Sequence, residues 1–315
     1  MQISFKRSLN ALNDFVESKR FDKKLAGIIV FGSFVKGMLH KTSDIDVLLL
    51  TKNGEYSRKI KEYDGLKFEI YTAPIAMFMS PFNNRGNLFF DMFRLQVLRT
   101  GRILYNQNGL LSQLNTWVND QKILRSYERT LLSRAYKRLR HAEKYFWIGY
   151  LNHAESELQA ASIEVARTLL LRKNKPEINI PRLIIPHLRK LYPDFYKIFQ
   201  EIHGLDNFGK NDVELELYNS LNYLEKINDK YNAAEYLGSV IKRADLELSN
   251  AKDCLEYGDY DSAILQLRLF TSILNNHLPM KFKFNTCGFN SRHSARSSNK
   301  IKEELSILRE ALSGL

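Results

Sequence analysis

Apolar and polar positions fall into two regimes along the chain. The first part switches between strand-like and helix-like periods, and the second keeps a helical period throughout. In residues 4–18, Phe5, Leu9, Leu12, Phe15 and Val16 recur every three or four positions and share one helical face. An unbroken apolar run from Leu25 to Phe31 follows and ends in Gly32-Ser33, which predicts a buried strand closed by a turn. A second run, Asp44-Ile45-Asp46-Val47-Leu48-Leu49-Leu50, opens with alternating carboxylates. Leu66-Lys67-Phe68-Glu69-Ile70-Tyr71 alternates in the same way and predicts a further strand. Gly54 begins a polar connection between these two runs. Residues 75–100 are apolar and helical in part, with a break around Pro81 to Gly86, and Ile103-Leu104-Tyr105 reads as a short strand at a sheet edge.

Beyond residue 118 the pattern is helical. Leu124, Tyr127, Leu131, Ala135, Leu139, Ala142 and Phe146 recur at helical spacing, as do Leu237, Val240, Ala244, Leu248, Ala251 and Leu255. The two stretches align at an offset of 109 residues, with Gly149 matching Gly258, Ala154 matching Ala263 and Leu158 matching Leu267. Each copy predicts a long helix that ends at glycine in the left-handed region and a second helix that starts with small residues. Four prolines, Pro176, Pro181, Pro186 and Pro193, predict an irregular connection across residues 174–193, because proline does not continue a helix interior. Residues 281–299, rich in Asn and Ser, read as a mobile segment before a final helix from Lys302 to Leu312. The cluster Tyr145-Phe146-Trp147 is expected in the core, and the lone histidines are expected to be structural or solvated, with His40 set apart by its place in the Gly32–Asp46 loop. The expected division is 1–117, 118–230 and 231–315.

The carboxylates carry the chemistry. Side chains of a strand repeat direction every second residue, so Asp44 and Asp46 share one face and Ile45, Val47 and Leu49 the other. Two like charges this close need neutralisation, and a hard divalent cation with oxygen ligands supplies it. Glu69 lies opposite the apolar face of its own strand, free to join the pair if the strands are neighbours. Two Mg²⁺ ions could then clamp the attacking and leaving oxygens of an in-line displacement. Gly32 allows a tight turn and close backbone approach. If Ser33 opens a helix, its N–H, its hydroxyl and the following amides can hold a phosphate.

Gly32-Ser33, Asp44-x-Asp46 and the later strand carboxylate Glu69 resemble the DNA polymerase β-type nucleotidyltransferase superfamily, in particular its minimal members and the aminoglycoside nucleotidyltransferases. The resemblance covers roughly residues 1–115. It implies an α+β fold, a small mixed β-sheet flanked by helices, followed here by an all-α helical bundle region. It also implies Mg²⁺-dependent transfer of a nucleoside monophosphate from an NTP, with ATP the expected donor. Asp44 and Asp46 would hold the metals, Glu69 would be third ligand and general base, and Gly32 and Ser33 would bind the triphosphate. Lys36, Lys41 and Ser43 of the connecting loop are further nucleotide-binding candidates. Where many minimal members carry Arg-Gly after the glycine, this chain has Lys36-Gly37, which keeps the charge and loses the bidentate fork. The helix–Gly–helix repeat resembles HEPN domains, and the helical domains of aminoglycoside nucleotidyltransferases are similar. Arg134–His141 and Arg182–His187 fit the HEPN ribonuclease spacing by count, although Arg182 stands between prolines.

Composition narrows the classes. No G-x-x-x-x-G-K-[ST] loop or G-x-G-x-x-G fingerprint occurs. Two cysteines, Cys254 and Cys287, exclude a structural zinc site by count and argue for a reducing, cytoplasmic setting. No run of eighteen apolar residues occurs, so no membrane span is expected. The formal charge of +12 attracts phosphate-rich partners. It concentrates in residues 122–144 and 281–302. An acceptor of the small-molecule, protein or RNA class fits, as does a homodimer through the helical region. The alternative readings are a nucleotide-binding regulatory module and an RNA-binding or RNA-processing protein using the basic helices.

Overall fold

The computed structural model describes residues 5–35, 44–79, 88–118, 121–175, 181–206, 208–231, 235–277 and 297–315. The chain divides into two compact units, Met1–Tyr127 and Glu128–Leu315. In the first, α1 (Phe5–Lys19) precedes β1 (Leu25–Phe31), β2 (Ile45–Thr51), β3 (Ser57–Tyr63) and β4 (Leu66–Pro74). α2 (Ala76–Met79), α3 (Leu88–Thr100), β5 (Arg102–Asn106), a short 3-10 turn and α4 (Leu110–Val118) follow. The five strands form one mixed sheet in the order β3-β4-β2-β1-β5. β2 and β4 run parallel, and the other neighbouring pairs run antiparallel.

Period-two alternation sorts the two faces of this sheet. Ile28, Val30, Ile45, Val47, Phe68 and Ile70 pack against Leu12 and Phe15 of α1, with the Phe15 and Phe68 ring centroids 5.2 Å apart. This is the apolar face that the spacing of Phe5 to Val16 predicts. On the opposite face Phe31 and Tyr71 meet Phe93 of α3, with centroids 5.7 and 5.5 Å from it. Asp46 and Glu69 lie on that second face.

The polar connection after Gly54 contains an element that the pattern does not announce. Residues 57–63 form the edge strand β3, hairpinned onto β4 through Asp64 and Gly65, both at positive φ (51° and 70°). Both faces of β3 are largely exposed, so no alternation marks it. The basic side chains of Arg58, Lys59 and Lys61 also suit a strand at a sheet edge.

The second unit is helical, formed by the greater part of α5 (Gln121–Trp147) with α6 (Leu151–Arg172), α7 (Pro181–Leu191), α8 (Pro193–His203), α9 (Lys210–Tyr231), α10 (Glu235–Glu256), α11 (Tyr260–His277) and α12 (Ser298–Ser313). The prolines expected to break the chain start helices instead. Pro181 and Pro193 each occupy a first helical position, where the missing N–H costs nothing. Pro186 is inside α7, whose buried Ile184, Ile185 and Leu188 hold the helix against the bundle. Pro176 and most of residues 281–299 lie outside the described residues.

The internal repeat holds at the level of single hydrogen bonds. Gly149 N–H donates to the Phe146 carbonyl at 3.1 Å and Tyr150 N–H to that of Tyr145 at 2.9 Å. At the matching positions, Gly258 N–H donates to Leu255 at 3.0 Å and Asp259 N–H to Cys254 at 2.9 Å. Both glycines have positive φ, 82° and 72°, so both helices end in the same Schellman cap. The paired alanines and leucines, Ala135/Ala244, Leu139/Leu248, Ala142/Ala251, Ala154/Ala263 and Leu158/Leu267, are all buried.

A Cβ on either glycine would meet nothing within 4 Å, so the cost of Gly149→Ala or Gly258→Ala is backbone strain alone. Each variant is expected to lose about 1–2 kcal/mol. Urea unfolding checks this, and a loss at one glycine with none at the other would break the equivalence of the two caps.

Candidate functional site

Parallel pairing of β2 with β4 sets Asp46 directly beside Glu69, and Asp44 immediately precedes β2. One carboxylate oxygen from each of the three lies within 4.8 Å of the others. The condition on which the sequence reading rests, that the two strands be neighbours, is therefore met. The Gly32-Ser33 turn closes β1 beside this trio. Gly32 has φ of 77°, and a Cβ there would collide with the Asp46 carboxylate. Glycine is needed at this position both for its backbone and for the space. Residues 32–35 form a turn. Residues 36–43 are outside the described residues, and Lys36, His40, Lys41 and Ser43 fall there.

The trio is electrostatically crowded. Burial, then the charge of Glu69, raises the Asp44 carboxyl above the ordinary aspartate range. Burial, then the charges of Asp44 and Glu69, pushes Asp46 well above it. All three donors are hard oxygens, closely spaced and short of positive charge, which fits Mg²⁺ or Mn²⁺.

Sequence reasoning missed one member of the site. Arg58 of β3 donates through Nε to Glu69 Oε1, and its guanidinium lies 5.6 Å from the centroid of the Tyr71 ring. Glu69 is buried while Arg58 is half exposed. Burial, the largest single influence, works against the Arg58 charge, but the hydrogen bond to Glu69 and the charges of Tyr71, Glu69 and Tyr56 together outweigh it, and the guanidinium becomes harder to deprotonate. Burial, followed by the charges of Glu69 and Asp46, pushes the Tyr71 hydroxyl far up. The signal that could have found Arg58 is Asp64-Gly65, a strong short-range mark of a hairpin, which would have set β3 beside Glu69.

The aromatic cluster of α5 also departs from expectation. Trp147 is 76% exposed, and Tyr145 and Phe146 are half buried. Of the pairs that fit ribonuclease spacing, Arg134 has its Nη1 buried and His141 is exposed. The Arg182 side chain lies outside the described residues.

The family model described as "Nucleotidyltransferase domain" matches residues 12–96, the segment that carries Gly32, Ser33, Asp44, Asp46 and Glu69. This stretch is a nucleotidyltransferase domain of the polymerase β-like type. Among solved structures the chain is similar to a nucleotidyltransferase-like protein from Exiguobacterium sibiricum, at 14% identity and a TM-score of 0.45, over 90% of this chain and 86% of that one. No curated protein matches the chain. No described helix is long and apolar enough to cross a membrane.

Protons and a divalent cation would compete for the nucleotidyltransferase domain's carboxylates. Because the folded values of Asp44 and Asp46 are raised, the folded protein binds protons more tightly than the unfolded chain. The associated stability is present below the unfolded value of 3.8 and is lost as pH rises through the raised folded values. A divalent cation would replace those protons at higher pH. The gain in Tm on adding millimolar MgCl₂ is therefore expected to be larger at about pH 8 than at about pH 5. Asp46→Asn is expected to raise the metal-free Tm at the higher pH and to abolish the gain. Thermal melts decide it, and a gain independent of pH would contradict it.

Proposed function

We propose that the chain is a nucleotidyltransferase that moves a nucleoside monophosphate, AMP from ATP, onto a hydroxyl acceptor. The observation that carries this reading is the convergence of Asp44, Asp46 and Glu69 within 4.8 Å beside a glycine turn, inside a nucleotidyltransferase domain. The acceptor oxygen forms a bond to the α-phosphorus, the bond from that phosphorus to the bridging oxygen breaks, and pyrophosphate leaves with the electron pair. Mg²⁺, two ions in this reading, supplies positive charge to the attacking and leaving oxygens.

The chain's own residues supply position and charge, which dominate phosphoryl-type transfer. Asp44 and Asp46 hold the metals. Glu69 completes the ligand set and accepts the acceptor's proton, with Arg58 donating to its Oε1. The Gly32 and Ser33 turn receives the triphosphate, with Lys36, Lys41 and Ser43 as further nucleotide contacts from the loop. Arg58 fixes the Glu69 carboxylate and is a positioning residue. Outer partners of this kind are worth about 10- to 100-fold in metal affinity or activity.

Asp44→Asn with Asp46→Asn is expected to abolish transfer of label from α-³²P-ATP into cell-extract fractions, with an unchanged circular dichroism spectrum. Equal labelling by this variant and the wild type would end the proposal. Glu69→Gln is expected to slow labelling by about 10²–10⁴-fold. Arg58→Gln is expected to weaken Mn²⁺ binding, read calorimetrically without nucleotide, by about 10- to 100-fold, with partial recovery in Arg58→Lys. Mn²⁺ affinity unchanged in Arg58→Gln would remove Arg58 from the site.

A further inference from the structure

The exposed face of α5 combines cations and aromatic rings in one row. Arg129, Tyr136, Lys137, Arg140, Lys144 and Trp147 are all exposed. At 3.6 residues per turn they fall within an arc of roughly 100°, over about 27 Å of helix. The apolar stripe of the same helix, Leu131, Ala135, Leu139 and Ala142, is buried on the other side. Among the described residues none of the four cations has an acidic partner. The two acids of α5 are paired elsewhere, Glu143 with Arg309 of α12 and Glu128 with Arg172 of α6. Tyr136 is 42% exposed and Trp147 76% exposed, with Ile148 and Tyr150 also open at the corner that follows.

The internal repeat supplies a control for the bland explanation, a merely solvated helix face. The 109-residue offset maps these six positions onto Gly238, Asp245, Leu246, Ser249, Asp253 and Glu256 of α10. The two helices share their buried alanines and leucines and the same terminal cap. The shared scaffold therefore does not require cations or aromatics on this face, since its second copy carries three acids there and no base.

We propose that this face of α5 binds single-stranded nucleic acid, with the four cations tracking phosphates and Trp147 and Tyr136 stacking on bases. Unpaired bases expose the ring faces that such stacking needs. An anionic membrane surface fits less well, because a helix lying on a bilayer must offer its apolar stripe, and the stripe of α5 is already buried in the bundle. This inference is independent of the carboxylate chemistry.

The test is fluorescence anisotropy with labelled single-stranded RNA and DNA oligonucleotides of about 15 nucleotides, inside the range of single-strand site sizes, across a salt series. Neutralising four phosphates gives a slope of log K against log salt of about −3. Arg140→Ser with Lys144→Asp installs residues that the second copy already tolerates, and is expected to reduce the steepness of that slope by about 1.4. Trp147→Ala is expected to weaken binding by roughly 5- to 100-fold and to remove quenching of tryptophan fluorescence by the oligonucleotide. Thermal melts establish that each variant is folded. Binding to neither oligonucleotide, binding that the variants leave unchanged, or capture of anionic lipid vesicles without capture of oligonucleotide overturns the proposal. An effect of the charge variant with none from Trp147→Ala overturns the stacking and with it the single-strand assignment.

Discussion

Mutual repulsion among Asp44, Asp46 and Glu69 is the constraint around which the first unit is arranged. With their oxygens within 4.8 Å of one another, two ionised carboxylates in a partly buried setting repel by at least roughly 3 kcal/mol. A typical internal hydrogen bond contributes about 1 kcal/mol net. Local hydrogen bonding therefore cannot hold the trio together in its charged form. The sheet imposes the arrangement instead: β2 and β4 are locked in register by the buried pairs Ile45–Phe68 and Val47–Ile70, and a slip of one residue would turn the acidic face into the core. The apolar side of the sheet thus supplies the energy that the polar side consumes.

That imbalance determines what the neighbourhood must provide. Gly32 yields the space that the Asp46 carboxylate occupies. Arg58 supplies one positive charge from the edge strand, stabilised in turn by Glu69 and by the face of Tyr71. Among the described residues one cation against three carboxylates leaves a deficit, and the raised proton affinity of Asp44 and Asp46 is its expression. A site that holds protons this tightly has the charge and the oxygen donors that would suit a divalent cation. The same electrostatic need connects the fold to metal-dependent handling of a polyphosphate.

The sequence carried the parts of this arrangement that involve an apolar face. Leu25–Phe31, the alternation at Asp44–Leu50 and that at Leu66–Tyr71 each have a buried side, so their elements and the convergence of the carboxylates were readable. The edge strand β3 was not, because a strand exposed on both faces has no period to detect. Arg58 was missed with it, since a partner on an unrecognised strand has no assigned neighbour. Pro186 misled for a different reason: the intrinsic cost of proline in a helix was outweighed by the burial of Ile184, Ile185 and Leu188. Trp147 misled because its run of three aromatics suggested core, while its angular position is about 120° to 160° from the buried Leu131, Ala135 and Ala142. Lys36, Lys41 and Ser43 fall outside the described residues.

The helical unit separates what folding requires from what it leaves open. Two stretches 109 residues apart keep the same buried alanines and leucines and the same glycine cap, down to the donors and acceptors of the cap. Those shared features are sufficient for a long helix, a left-handed stop and a closely packed return helix. Residues at equivalent exposed positions have no such duty, and there the copies differ in charge sign as well as in identity. Lys144 stands where the other copy has Asp253, and Trp147 where it has Glu256. Stability alone gives no reason for one copy to be basic and aromatic and the other acidic. A reversal of charge on the solvent side of helices that share their buried alanines is what selection for a contact on one of them would produce.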